Sequence, residues 1–253
     1  MAVTKVRIRF SKHGDPRLLS HHDLMRGFER ALRRAALPVA LSQGFSPRPR
    51  MSIAQALALG IEGRREVLEL EMAEPLEAEE VRNRLAAVLP PGLDLLEAEL
   101  VPTGQSAQAV SLWYHIEVPE ARREAAALEL ESLIQSSHRV HVRIREEKRT
   151  TLDLRSFLMQ ASLDDNGILR FQLRVTPAGS ARPEEILETL QLRDLLTSGG
   201  ILVRDDVELA AIPPSRVDSS TLTVTTRSNP ESVLVQDQSP SDPEAEIACP
   251  SSL

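Results

Sequence analysis

A two-residue hydrophobic period and a helical one succeed each other along this chain in the order strand, helix, strand, strand, helix, strand, and the same order then returns. Residues 5–10, "KVRIRF", alternate Val6, Ile8 and Phe10 with Lys5, Arg7 and Arg9, the pattern of a half-buried strand. A helix follows, opened by Ser20 and Asp23 at capping-box spacing, and its residues Leu24, Phe28, Ala31, Leu32 and Ala35 share one face. "MSIAQALALG" and "EVLELEM" read as strands, the latter with Leu68, Leu70 and Met72 inward and Glu69 and Glu71 outward. "EPLEAEEVRNRLAAVL" is helical up to Pro90, Pro91 and Gly92, and "LDLLEAELV" closes the set.

The second round runs through "VSLWYHIEV", a helix in "EARREAAALELESLIQ", strands in "RVHVRIR" and "ILRFQLRV", a helix in "RPEEILETLQL", and "GILVRDDVEL". "KRTTLDLRSFLMQASLDDNG" fits either an extended hairpin arm or a short helix. The expected architecture is therefore α+β: two tandem ferredoxin-like (βαββαβ) halves with antiparallel sheets, residues 1–102 and 108–212. Residues 213–253, rich in Ser, Pro and Asp, have little to bury and are expected to be disordered.

Composition narrows the function. With 42% apolar residues in 253, the chain can fill a core, yet no apolar run approaches the roughly 20 residues of a membrane span. The alternating N-terminus is unlike a signal peptide, so a cytoplasmic location and no membrane partner are expected. The single Cys249 has no thiol partner, so the chain alone cannot hold an iron–sulfur cluster. The net charge of -7 conceals a basic head: residues 1–60 carry eleven Lys and Arg against three Asp and Glu. Such an asymmetry points to a polyanion, an acidic partner, or simply a solvated face.

Three surfaces draw attention. Opposite the apolar stripe of the first helix lie Arg26, Arg30, Arg33 and Arg34. After it comes "SQGFSPRPRMS", where Gly44 permits a positive φ and two prolines stiffen the presentation of Arg48 and Arg50 to an anion or to the acidic second half. The polar members of the second-half strands, Trp113, His115, His141, Arg143, Arg170 and Arg174, would share the sheet face from which related folds stack bases; alternatively, the two halves cover it. Arg7 and Arg9 should neighbour Glu69 and Glu71 across paired strands. A general acid–base role would fall to His13 or His22, against simple packing at the helix start. No metal ligand set is expected, because adjacent helical residues such as His21 and His22 diverge by about 100°.

The run "SHHDLMRGFERALRRAALPVALSQGFSPRPRMSIAQALALGIEGRREVLELEM" resembles a family of bacterial proteins of unknown function described as radical SAM-linked or radical SAM-associated. The resemblance rests on "DLMR", "RALRRA", "SQGFSPRPRMS", "ALALG" and the E-x-L-x-x-E pattern from Glu66 to Glu71, and covers roughly residues 4 to 210. Members commonly read G-F-N-P-x-P, where this chain has Ser46 in place of Asn. The family's domain occurs fused behind, or encoded beside, B12-binding-type radical SAM proteins, and this chain is similar to the stand-alone form. It has no C-x-x-x-C-x-x-C, so the resemblance implies an accessory partner, with the iron–sulfur cluster and S-adenosylmethionine in the enzyme it assists. The functional expectation is a noncatalytic, RNA-binding subunit for tRNA or rRNA modification. The alternatives are a metal-independent endoribonuclease of the CRISPR repeat-processing type, echoed in "TSGGILV", and a protein–protein adaptor.

Overall fold

The computed structural model describes residues 4–145, 148–177 and 179–211. The disorder expected for residues 213–253 and the lone Cys249 lie outside them. β1 (Thr4–Lys12) leads through a 3-10 turn at Asp15–Leu18 to α1 (His21–Arg34), then β2 (Met51–Ile53), β3 (Glu62–Met72), α2 (Ala78–Ala86) and β4 (Leu93–Val101). β5 (Ala109–Glu117), α3 (Glu120–Gln135), β6 (Val140–Arg145), β7 (Lys148–Asp153), α4 (Leu154–Phe157), β8 (Leu158–Leu163), β9 (Ile168–Thr176), β10 (Gly179–Ser180), α5 (Pro183–Thr189) and β11 (Val203–Leu209) complete it. The protein is thus mixed α/β, with mostly antiparallel sheets and five α-helices among the described residues.

Within the first half β4, β1, β3 and β2 lie side by side in that order, all antiparallel. The second half repeats it as β11, β5, β9 and β8. A short parallel pairing of β11 with β3, at Val203–Glu62 and Arg204–Gly63, fuses the halves edge to edge into one nine-stranded sheet. The halves therefore do not cover each other's polar faces by stacking. Two apolar cores result. One gathers Val6, Ile8 and Phe10 with Leu24, Phe28 and Leu32 of α1 and Val81 and Leu85 of α2. The other gathers Leu112, Tyr114, Ile116, Leu130, Leu133, Phe171, Ile186 and Leu187.

One assignment is corrected. "RVHVRIR" alternates as a strand should, but as β6 it pairs only with β7 in a separate two-stranded sheet, and β8 takes the place beside β9. The ambiguous stretch after it holds both expected forms, since β7 is a hairpin arm and α4 a single helical turn. Alternation specifies a strand but not its neighbour: Val140, Val142 and Ile144 are exposed, so this strand's apolar side was never a core side. Further along, Gly92 is required where β4 begins. Its φ is 85°, and a Cβ there would stand 2.5 Å from the carbonyl oxygen of His13.

The charge alternation of β1 finds its partners. Arg7 faces Glu69 in register and donates to it at 3.0 Å, while Lys5 Nζ lies 2.6 Å from the same carboxylate. Arg9 reaches across to Asp206 at 3.1 Å instead of to Glu71, which takes Arg50. Glu69 also accepts the Ala107 amide, and Lys5 donates to the Gln105 carbonyl, which fastens the connection between the halves onto the sheet. Burial pushes Glu69 up, but hydrogen bonds from Lys5, the Ala107 amide and Arg7 outweigh it and hold the carboxyl below its ordinary range. A carboxylate depressed in the folded state contributes stability that is full above its unfolded pKa and is lost as pH falls through the folded one. Urea midpoints should therefore fall as pH drops below the ordinary glutamate value of about 4.3. In Glu69→Gln that part of the acid sensitivity should disappear, and an unchanged pH profile would refute the assignment.

Candidate functional site

α1 is set by its own sequence. The Ser20 hydroxyl oxygen caps it by accepting the Asp23 amide at 3.2 Å, and Leu24, Phe28, Ala31 and Leu32 bury the inner stripe. Four arginines are left outward. Arg26 stands 3.9 Å from the exposed Asp23, Arg33 stands 3.8 Å from the largely covered Glu29 with its own side chain exposed, and Arg30 has no ionic partner among the described residues. Arg34 is spent on the Val88 carbonyl. Such long contacts from exposed guanidinium groups contribute little and neutralise little, so Arg26, Arg30 and Arg33 remain a cationic row.

The basic loop is a small protruding ribbon. Ala40 donates to Glu71 and Arg50 to Ala40, so the loop's two legs leave side by side from the end of β3. Leu41 pairs with Pro49, Ser42 donates to the Arg48 carbonyl at 2.8 Å, and the Arg48 amide returns to the Ser42 hydroxyl at 3.0 Å. Gly44 sits at φ 126°, a conformation side-chain-bearing residues rarely adopt, while the space around it is open. Its role is thus the turn itself. At the tip Phe45 is fully exposed. Arg48 is exposed with no ionic partner among the described residues, whereas Arg50 binds Glu71 at 2.7 Å. Of the loop's two arginines only Arg48 is without an ionic partner among the described residues; Arg50, half exposed, is shared with Glu71.

The second-half sheet face is different. Trp113, His115, Arg170 and Arg174 do lie on β5 and β9, but acids stand against the first three, those facing Trp113 and His115 supplied by β11. Trp113 Nε1 donates to Glu208 at 2.8 Å, and His115 Nδ1 lies 2.7 Å from Asp205. Arg170 binds Asp164 at 2.6 Å, while Arg174 is exposed without an ionic partner among the described residues. Hydrogen bonds from Ser111 and then Trp113 hold Glu208 below the usual carboxylate range, so it is charged where RNA phosphates would approach. His141 and Arg143 are not on this face: as part of β6 they turn to Glu185, with Arg143 gripping it at 2.6 and 2.9 Å.

His13 Nε2 meets Asp94 at 2.7 Å on an exposed rim, and His22 is exposed. His21 is half-buried, and burial, then His22 and Lys12, push it below the ordinary imidazole range. No group of three or more His, Cys, Asp or Glu residues suited to a metal ion occurs among the described residues.

Sequence reasoning missed two features. One is Phe45, whose exposure depends on the ribbon. The other is a cavity of about 590 Å³ between β6, α5 and the segment after β2, floored by Tyr114 and Arg204. Arg204 is buried and doubly bonded to Glu66, with Nε–Oε1 at 2.8 Å, and donates further to the carbonyls of Gln55 and Ala56. Partners 138 residues apart leave no local pattern to read.

Fold and surface together define a mixed α/β protein with a cationic helix and a stiff basic ribbon, and among the described residues no helix is long and apolar enough to cross a membrane. The chain belongs to the bacterial family described as "Uncharacterized protein conserved in bacteria (DUF2344)", whose model matches residues 5–183. No curated protein matches it significantly. Among solved structures, an unknown protein from Galdieria sulphuraria is similar at 12% identity, over 83% of this chain and 100% of that one, with a TM-score of 0.26.

Proposed function

We propose that this chain is a noncatalytic RNA-binding subunit that presents tRNA or rRNA to a radical SAM enzyme. The observation that supports the RNA reading is the row Arg26, Arg30 and Arg33 together with Arg48, four guanidinium groups that no strong internal pair neutralises. Guanidinium groups bind phosphate oxygens through two parallel hydrogen bonds. Phe45 at the ribbon tip offers the stacking surface that single-stranded bases favour. The strand orders β4-β1-β3-β2 and β11-β5-β9-β8 support reading each half as ferredoxin-like, a split βαβ unit. The enzyme partner, with its iron–sulfur cluster and S-adenosylmethionine, rests on the resemblance of roughly residues 4 to 210, densest from 18 to 72, to radical SAM-linked proteins.

Four phosphate contacts to a single strand predict a slope of about -3 in log affinity against log salt. Filter binding of an unstructured RNA to the full chain should therefore weaken roughly 50-fold when salt rises fourfold. No retention, or retention indifferent to salt, would end the RNA reading. Co-purification of a radical SAM protein after nuclease treatment tests the partner separately.

A further inference from the structure

Among the described residues β6 has one paired and one open edge. Leu154 donates to the Arg139 carbonyl, and the register of β6 with β7 is unbroken from Val140–Asp153 to Arg145–Lys148. In an antiparallel ladder the hydrogen-bonded pairs alternate, so the bonded pairs are Arg139–Leu154, His141–Leu152 and Arg143–Thr150. The amide and carbonyl groups of Val140, Val142 and Ile144 consequently point away from β7. No described residue bonds them. These three residues are also exposed, by 66%, 49% and 63%.

This open edge borders the cavity. Four consecutive residues of β6, His141 to Ile144, line it. A strand face would contribute alternate residues, so it is the edge that looks in. The hairpin is held in place by the grip of Arg143 on Glu185 and by its bond to the Ser180 carbonyl at 3.2 Å. Two strands alone are marginally stable in water, and an unpaired edge is a template for another strand.

We propose that the open edge of β6 receives an extended segment of a partner protein, which adds as a third strand to the β6–β7 hairpin and places its inward side chains in the adjoining cavity. Edge amides and carbonyls supply the register, and pockets for alternate side chains supply selection. The charges around the cavity balance: Arg143 with Glu185, Arg193 with Glu188 at 2.7 Å and Arg204 with Glu66 are paired, and Arg182 and Glu184, without ion-pair partners among the described residues, add one charge of each sign. Apolar lining comes from Ile61, Leu112 and Ala181. The segment it fits is accordingly uncharged, apolar or hydroxyl-bearing on its inward side, and β-branched where it runs beside Val142 and Ile144. It is a different ligand from the polyanion proposed for the first half, and neither reading depends on the other.

The test is selection of a random peptide library displayed on phage against the full chain, followed by fluorescence polarisation of the recovered peptides. Enriched peptides should be strand-forming and uncharged at alternate positions. Val142→Thr keeps the edge amide and should keep binding. Val142→Pro removes that donor and blocks the edge without breaking a bond to β7, and should weaken binding at least about tenfold, the worth of one or two lost hydrogen bonds. No enrichment, or peptides that bind Val142→Pro equally well, would overturn the proposal. A dimer of the unmodified chain in light scattering that Val142→Pro dissolves would also overturn it, assigning the edge to a second copy. Should Val142→Pro fail to fold, amide exchange at Val142 and Ile144 of the unmodified chain decides: slowed by a selected peptide if the edge is the site, unchanged if it is not.

Discussion

Replacing Glu66 by glutamine should cost the fold about 3 to 5 kcal/mol, because it leaves the Arg204 guanidinium buried without a counter-charge. Arg204 and Glu66 are each 1% exposed, so water cannot take over the lost carboxylate. Burial works against charge on Arg204, but Glu66 and then Tyr114 more than offset it and keep it protonated. For a chain of this size the loss corresponds to a drop in Tm on the order of 10 °C. Urea denaturation measures it directly, and a loss below about 1 kcal/mol, the range of exposed pairs, would show that the pair is not sealed. The double variant Glu66→Leu with Arg204→Met should recover part of the loss. It removes both charges but orphans the carbonyls of Gln55 and Ala56 that Arg204 holds, each worth about 1 to 3 kcal/mol when left unbonded. Since those carbonyls belong to the segment after β2 that lines the cavity, Glu66 also shapes the site beside β6.

Local patterns carried most elements and several contacts. The stripe Leu24, Phe28, Ala31 and Leu32 announced α1 and its outward arginines, and all four are buried. Charge alternation even announced the facing of Arg7 and Glu69, because opposite charges on strands of fixed register must meet. What stayed hidden depended on neighbours in space. "RVHVRIR" showed a strand but not that its neighbour would be β7, and "LMQASL" has too weak an alternation to announce β8. The basic look of this face vanished only when β11 delivered Asp205 to His115 and Glu208 to Trp113, and the turn after β8 delivered Asp164 to Arg170. Arg48 and Arg50 look equivalent in sequence. They part company because Arg50 lies against β3 within reach of Glu71, and Arg48 lies two residues further toward the tip.

That distinction sets the second large expected effect. Changing Arg26, Arg30, Arg33 and Arg48 together to glutamate should weaken binding of an unstructured RNA by at least about 50-fold at low salt, the share four phosphate contacts carry over a fourfold salt change. The salt slope should flatten toward zero at the same time. The fold should survive: Arg30 and Arg48 break no ion pair among the described residues, and the contacts of Arg26 and Arg33 are 3.9 and 3.8 Å surface approaches. Arg50→Glu alone is the control, since Arg50 is already held by Glu71, and it should move RNA affinity far less than Arg48→Glu. Phe45→Ala separates stacking from charge. It should lower affinity by about 1 to 3 kcal/mol while leaving the salt slope intact, because a base on an aromatic ring releases no counterions. If the fourfold charge reversal leaves both affinity and slope unchanged, the basic head binds no RNA, and its arginines serve only as a solvated helix face.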